Sequence, residues 1–172
     1  IEANRLVLET AVFSLHDLVY DVMEMLSPQA VDKKLPMSVF YYDDVPEIVI
    51  GDALRIKQIL TNLVSNAIKF TSEGEIIVRV MLEHTTAKGH LVEISVQDTG
   101  IGLDGVNINQ LFAAFSQADS TVSREYGGTG LGLSIAKQLA NLMQGDIQAS
   151  DNKDIYAVRG QNQHVKGATF TA

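Results

Sequence analysis

A chain of 172 residues with 46% hydrophobic and 20% charged side chains is large enough for one buried core, and no stretch approaches the ~18 apolar residues a helix needs to cross a bilayer. The net charge of −8 repels phosphate backbones and argues against nucleic acid as a partner, while the lack of cysteine excludes disulfides and thiolate metal sites. A soluble domain in a reducing, cytoplasmic setting is the expectation, and the start at Ile1-Glu2-Ala3-Asn4, with no initiator Met or basic leader, reads as a piece of something longer.

Residues 12–15 form a short apolar run, and Ser14 followed by Asp17 has the look of a helix cap with an acid in the first turn. Leu18, Val22, Met25, Leu26 and Val31 recur at helical spacing and are expected to face inward; Pro28 is predicted to kink the helix, and Pro36 lies just beyond its end. Residues 37–42 read as a strand. Asp52 is placed to cap a second helix running to about Phe70, with Ile56, Ile59, Leu60, Leu63 and Ala67 as its apolar stripe.

Residues 75–83 and 91–98 alternate or run apolar with β-branched side chains around a Lys88-Gly89 turn, which predicts a hairpin. Residues 107–115 allow a short helix, and the polar, glycine-ended stretch 116–128 reads as a mobile loop. Helical spacing returns over 131–143 and closes at Gly145. Residues 147–150 and 168–172 are expected as closing strands, and the polar stretch 151–166 between them as a surface loop. The class is α/β, with helices on one face of a mixed sheet.

Three polar groupings stand out. On the second helix Asn62, Asn66 and Lys69 fall within an arc of about 60°, beside the apolar stripe. Any one Asn there has a plainer reading as a backbone cap or a wet side chain. Three converging groups favour a site: amide oxygens suit Mg²⁺, and a Lys suits the phosphates that accompany it. Asp98-Thr99-Gly100-Ile101-Gly102 follows a predicted strand. It is either a tight turn with a capping Asp, or a carboxylate at the bottom of an apolar slot that accepts from the exocyclic amine of adenine.

The third grouping, Gly127-Gly128-Thr129-Gly130-Leu131-Gly132-Leu133, opens a helix whose positive end suits a polyphosphate. It matches neither the dinucleotide fingerprint nor a P-loop. Arg124 just before it is within reach of phosphates, or simply solvated.

In this order the pieces resemble the GHKL ATPase superfamily, which includes histidine kinases, gyrase, MutL and heat-shock chaperones. Asn62 to Phe70 resembles the kinase N box, Asp98 to Gly102 the first glycine box, and Phe112-Ala113-Ala114-Phe115 the F box. Gly128 to Leu133 resembles the second glycine box, and Gly167-Ala168-Thr169-Phe170 the final short motif. The wording Phe115-Ser116-Gln117-Ala118-Asp119 is similar to that of hybrid sensor kinases, and residues 1–8 are similar to the linker after their dimerisation helices. Ala113-Ala114 departs from the acidic residue or Pro usual inside the F box, and the last loop is longer than the family's.

The resemblance implies the Bergerat two-layer sandwich: a mixed, mainly antiparallel sheet on about three helices, with residues 1–10 as linker, 11–172 as the catalytic domain and a mobile ATP lid over about 116–130. It implies ATP and Mg²⁺ as cofactors. Asn66 would carry the metal, Asn62 and Lys69 the phosphates, and Asp98 the adenine, with Gly100 and Gly102 in its turn, Phe70 flanking the base and Phe115 among the nucleotide-binding residues. Arg124, Gly128, Thr129, Gly130, Leu131, Gly132 and Leu133 would close over the nucleotide, and Thr169 would be a further cofactor-binding residue.

The activity implied is transfer of the γ-phosphoryl group to a histidine on an absent dimerisation domain, with a receiver domain or response regulator downstream. The isolated domain would be a monomer, and the full-length protein a homodimer anchored in the inner membrane. Hydrolysis of the gyrase or chaperone kind and a degenerate nucleotide-sensing module are the rival readings. Hydrolysing relatives carry Glu where this chain has Asn62, which favours the kinase. None of His16, His84, His90 and His164 has the acid-and-proline context of an acceptor histidine in this family.

Overall fold

In the computed structural model, which describes residues 7–87, 89–103, 107, 111–113, 131–152 and 168–172, β1 (Ala11–Ser14) turns directly into α1 (Leu15–Asp32). The Ser14 hydroxyl accepts the Asp17 N–H at 3.0 Å, satisfying a first-turn donor that has no carbonyl of its own. The helix start expected there is present, whereas the apolar run 12–15 divides between strand and helix.

α1 passes through Pro28 as one helix in place of the expected kink. Pro28 has no N–H for the Glu24 carbonyl, and the Ser27 hydroxyl donates to that carbonyl instead, at 2.9 Å. The inward face is Leu15, Leu18, Val19, Val22, Met23, Leu26 and Ala30. Met25 and Val31, expected inside, are 49% and 71% exposed. At 100° per residue they stand about 100° and 140° from the centre of the buried stripe, so spacing from one neighbour misplaced them. The helix ends with Lys34 in the left-handed region (φ 58°), while the Lys34 and Leu35 N–H groups donate to the carbonyls of Val31 and Ala30, both at 2.9 Å.

β2 (Met37–Tyr41) follows, then β3 (Ile48–Gly51), a strand without a sequence prediction, which pairs antiparallel with β1 in the register Val12↔Ile50. α2 (Ala53–Phe70) is capped by Asp52. This buried carboxylate accepts the Arg55 N–H at 3.1 Å and, from the incoming chain, the Glu9 N–H at 3.0 Å. β4 (Ile76–Thr86) and β5 (Gly89–Asp98) form the expected hairpin, and α3 (Gly132–Leu142), β6 (Gln148–Asp151) and β7 (Ala168–Thr171) complete the described elements.

The main sheet runs β2-β4-β5-β7-β6; β2 is parallel to β4, and every other pairing is antiparallel. Ile76, Val78 and Val80 alternate along β4 and, with Val96, are fully buried against the apolar faces of the helices. Two layers result, with α2 between α1 and α3. α3 closes on Gln144, not Gly145, as its left-handed residue (φ 65°), and the Gly145 N–H reaches back to the Ala140 carbonyl at 2.9 Å.

Candidate functional site

α2 carries the centre of the site. Asn62 and Asn66, both half-buried, lie one turn apart, and Asn66 Nδ2 donates to Asn62 Oδ1 at 3.2 Å. That bond fixes the Asn66 amide plane with its nitrogen towards Asn62 and its oxygen turned the other way, as a hard cation ligand requires. One turn on, the Lys69 ammonium lies 5.1 Å from the centroid of the Phe70 ring. Gly132, first residue of α3, packs so closely on Asn62 that a methyl group there would overlap the amide.

α1 and α2 have side-chain N-caps, Ser14 and Asp52, but α3 starts at Leu131 with none among the described residues. Its first-turn N–H groups form a donor set of the kind that holds anions. The Leu131 carbonyl accepts the Ile135 N–H and the Ser134 hydroxyl, each at 2.9 Å, which secures this start from inside.

At the end of β5, Asp98 is 4% exposed, and its Oδ1 accepts the Gly100 N–H at 2.8 Å. The tight-turn reading of this segment is therefore correct as geometry, and it presents a buried carboxylate as well. Gly100 is required sterically, since a side chain there would run into the Phe70 carbonyl, and Gly102 has φ 76°. The Ile101 N–H donates to that same Phe70 carbonyl at 3.3 Å, so the glycine turn is tied to the end of α2. The Thr71 hydroxyl, fully buried against Gly100, has no hydrogen-bond partner among the described residues.

Several residues that hold this site had no sequence signal. Lys33 Nζ donates to the carbonyls of Ile68 (2.7 Å), Lys69 (3.0 Å) and Thr71 (3.2 Å), placing a positive charge on the C-terminal end of α2. Thr99 accepts the Glu75 N–H at 2.9 Å and joins the turn to the start of β4. Asn152, fully buried, donates to the Asp98 carbonyl at 2.7 Å, and Asp151 accepts the Leu103 N–H at 3.0 Å. The 151–166 stretch, expected as a surface loop, thus begins with two buried residues that bind the glycine turn.

Thr169 is placed by register opposite Gln97 of β5 and Ser150 of β6. Phe112 packs against the core, and the Lys137 ammonium lies 5.1 Å from its ring centroid. Phe115, Arg124, Gly128, Thr129 and Gly130, the 116–130 lid, most of the 107–115 helix and His164 lie outside the described residues. The His16 ring lies 4.5 Å from that of Tyr20 and 5.1 Å from that of Tyr41, and His90 shares a 2.9 Å hydrogen bond with Thr85.

The residues present fit a nucleotide and its metal: an amide oxygen held in position, a Lys one turn away, uncapped helix donors and a buried carboxylate. A two-layer sandwich that gathers these groups around its middle helix defines a GHKL-type ATP-binding domain. The family described as "Histidine kinase-, DNA gyrase B-, and HSP90-like ATPase" matches residues 51–172, and the chain belongs to it. Sensor protein GacS of Pseudomonas syringae pv. syringae is 53% identical over 147 residues, which are 86% of this chain and 16% of that protein. The signal transduction histidine-protein kinase BarA of Escherichia coli K12 is 44% identical, over the same shares of both chains (86% and 16%). The chain therefore corresponds to a small part of these relatives.

Among solved structures, full-length ShkA in complex with AMPPNP superposes with a TM-score of 0.75 at 29% identity, covering 98% of this chain and 31% of ShkA. The catalytic domain of histidine kinase ThkA gives 0.71 at 25% identity, covering 95% of this chain and 93% of that one. The fold is that of histidine kinase catalytic domains. Among the described residues no helix is long and apolar enough to cross a membrane.

Proposed function

We propose that this domain binds Mg·ATP and passes its γ-phosphoryl group to a histidine on a helical dimerisation segment outside the 172 residues, in a sensor kinase that hands the phosphate on to a receiver domain. The observation that carries this reading is the Asn62–Asn66 amide pair, with Gly132 of α3 packed on it. It sets Asn66, to which we assign the metal, near the start of α3. Mg²⁺ held by Asn66 would supply positive charge to offset that of the phosphates.

Asn66 holds the metal through its amide oxygen, Lys69 and the α3 N–H groups receive phosphate oxygens, and Asp98 accepts from the adenine amine. Phe70 flanks the base, and the family resemblance adds Phe115, Arg124, Gly128, Thr129 and Gly130, which lie outside the described residues, as nucleotide-binding residues. Asn62 orients Asn66 and cannot take a proton near neutral pH, so water in the site gains no general base there. In the transfer, the imidazole nitrogen of the acceptor forms a bond to phosphorus, the bond to the bridging oxygen of ADP breaks, and the imidazole proton leaves to solvent. The whole protein would be a homodimer, membrane-anchored, with this domain on the cytoplasmic side.

The test combines this chain with γ-labelled Mg·ATP and the segment that precedes it in the full-length protein. Label on a histidine, lost with Asn66→Ala and accompanied by near-background phosphate release, is the expected result. Rapid phosphate release that Asn66→Ala abolishes, with no labelled histidine, would overturn the reading in favour of an ATPase.

A further inference from the structure

We propose that Asn152 and Asp151 are positioning residues for the base end of the nucleotide site, an inference that rests on Asp98 being the adenine-reading carboxylate. They lie far along the chain from what they hold: Asn152 is 54 residues from Asp98, and Asp151 is 48 from Leu103. Both are buried, at 0% and 8% exposure, where β6 ends. Asn152 supplies a donor to the Asp98 carbonyl at 2.7 Å, and Asp151 supplies an acceptor to the Leu103 N–H at 3.0 Å. The two bonds grip the glycine turn at its first residue and just past its last.

Peptide geometry connects this grip to Asp98. The carbonyl that Asn152 holds belongs to the Asp98–Thr99 peptide, and the N–H that orients the Asp98 carboxylate belongs to Gly100, one peptide further on, at 2.8 Å. Turning the first peptide about the Asp98 Cα–C bond swings the Thr99 Cα with it, because the planar unit moves as one body, and the Gly100 N–H travels with that Cα. A buried carbonyl deprived of its donor is driven to rotate towards another partner or water. The turn also packs on the Phe70 carbonyl, so closely that a side chain at Gly100 would overlap it. Asn152 and Asp151 therefore hold the two ends of a turn already packed on the end of α2, and with it the direction in which the carboxylate points. Distinguishing an amine from a carbonyl at one purine position demands alignment within about 0.5 Å, which a loosened turn does not keep.

Titration calorimetry of the 172-residue chain with Mg·ATP and Mg·GTP, paired with hydrogen exchange of the nucleotide-free protein, tests the proposal. The variants are Asn152→Ala, Asp151→Ala, Asp98→Asn and, as a buried control in α1, Val22→Ala. In Asn152→Ala the preference for ATP over GTP is expected to fall about 10-fold, through weaker ATP binding, while Gly100 exchange accelerates at least 10-fold. Asp151→Ala is expected to act in the same direction, and it tests the same grip should Asn152→Ala not fold. Val22→Ala should lower the melting temperature and leave the ATP preference alone.

An unchanged preference in a folded Asn152→Ala or Asp151→Ala, or an equal loss in Val22→Ala, overturns the positioning role. No preference in the starting protein, or a preference that survives Asp98→Asn, overturns the base assignment itself. In that case Gly100 exchange still reports whether Asn152 holds the turn.

Discussion

Gly132 shows how a single missing side chain organises this site. With no Cβ, it lets α3 approach α2 until Asn62 is in contact, and the Asn62–Asn66 bond forms beside that contact. Gly132→Ala pits two effects against each other. Alanine gains up to about 1 kcal/mol of helix propensity, less at a first helical residue, while overlap with the Asn62 amide costs about 1–3 kcal/mol. The overlap wins because the amide has packed neighbours and a hydrogen bond to lose. A net loss near 1 kcal/mol in urea unfolding is expected, with ATP affinity reduced about 10-fold. Unchanged affinity in calorimetry would show that Asn62 need not hold its place.

At the scale of elements, both α1 and α3 end on a left-handed residue that is not glycine, Lys34 and Gln144. A side chain in that region costs roughly 1 kcal/mol or more through crowding of Cβ against the following carbonyl. Gln144 is exposed, and its backbone N–H donates to the Asn141 carbonyl at 3.1 Å whatever the side chain. Gln144→Gly is therefore expected to stabilise the domain by about 0.5–1 kcal/mol, offset partly by the extra freedom of glycine in the unfolded chain. Thermal or urea unfolding measures it; a loss of stability would mean that the side chain has a partner worth more than the strain. Elsewhere a defect is corrected locally, as where the Ser27 hydroxyl takes the bond that Pro28 cannot make, so α1 stays whole beneath α2.

Across the whole molecule, Lys137 of α3 reaches the segment before β6, contacting the Asp146 carboxylate and the Ile147 carbonyl, both at 2.5 Å. Its hydrogen bond is the main cause that holds the Asp146 carboxyl below the ordinary value of 3.8, with burial opposing and the Lys137 charge assisting. A lowered pKa in the folded state gives a contribution to stability that is complete above about pH 4 and is lost as pH falls through the lowered value. Asp146 is 53% exposed, so solvent screening keeps the contribution under about 1 kcal/mol. Asp146→Asn is expected to lower stability by that amount at pH 7 and by less at pH 2, below the ordinary carboxylate range, and 1 M salt should shrink the difference. An equal effect at both pH values would mean that packing, not charge, is what the side chain supplies.

Local chemistry made much of this fold legible in the sequence. Ser14 and Asp52 cap helices by bonding their own N3 residues, alternation along β4 marks the buried face, and both signals need only neighbours in the chain. The order of the polar and glycine motifs pointed to the family for the same reason: each motif is a short string with its own chemistry. Only the tertiary structure decided where distant segments meet. β3 is a strand because β1 is there to pair with it. Lys33, Asp151 and Asn152 look like ordinary polar residues along the chain. Their roles come from backbone groups 35 to 54 residues away, which no local pattern encodes.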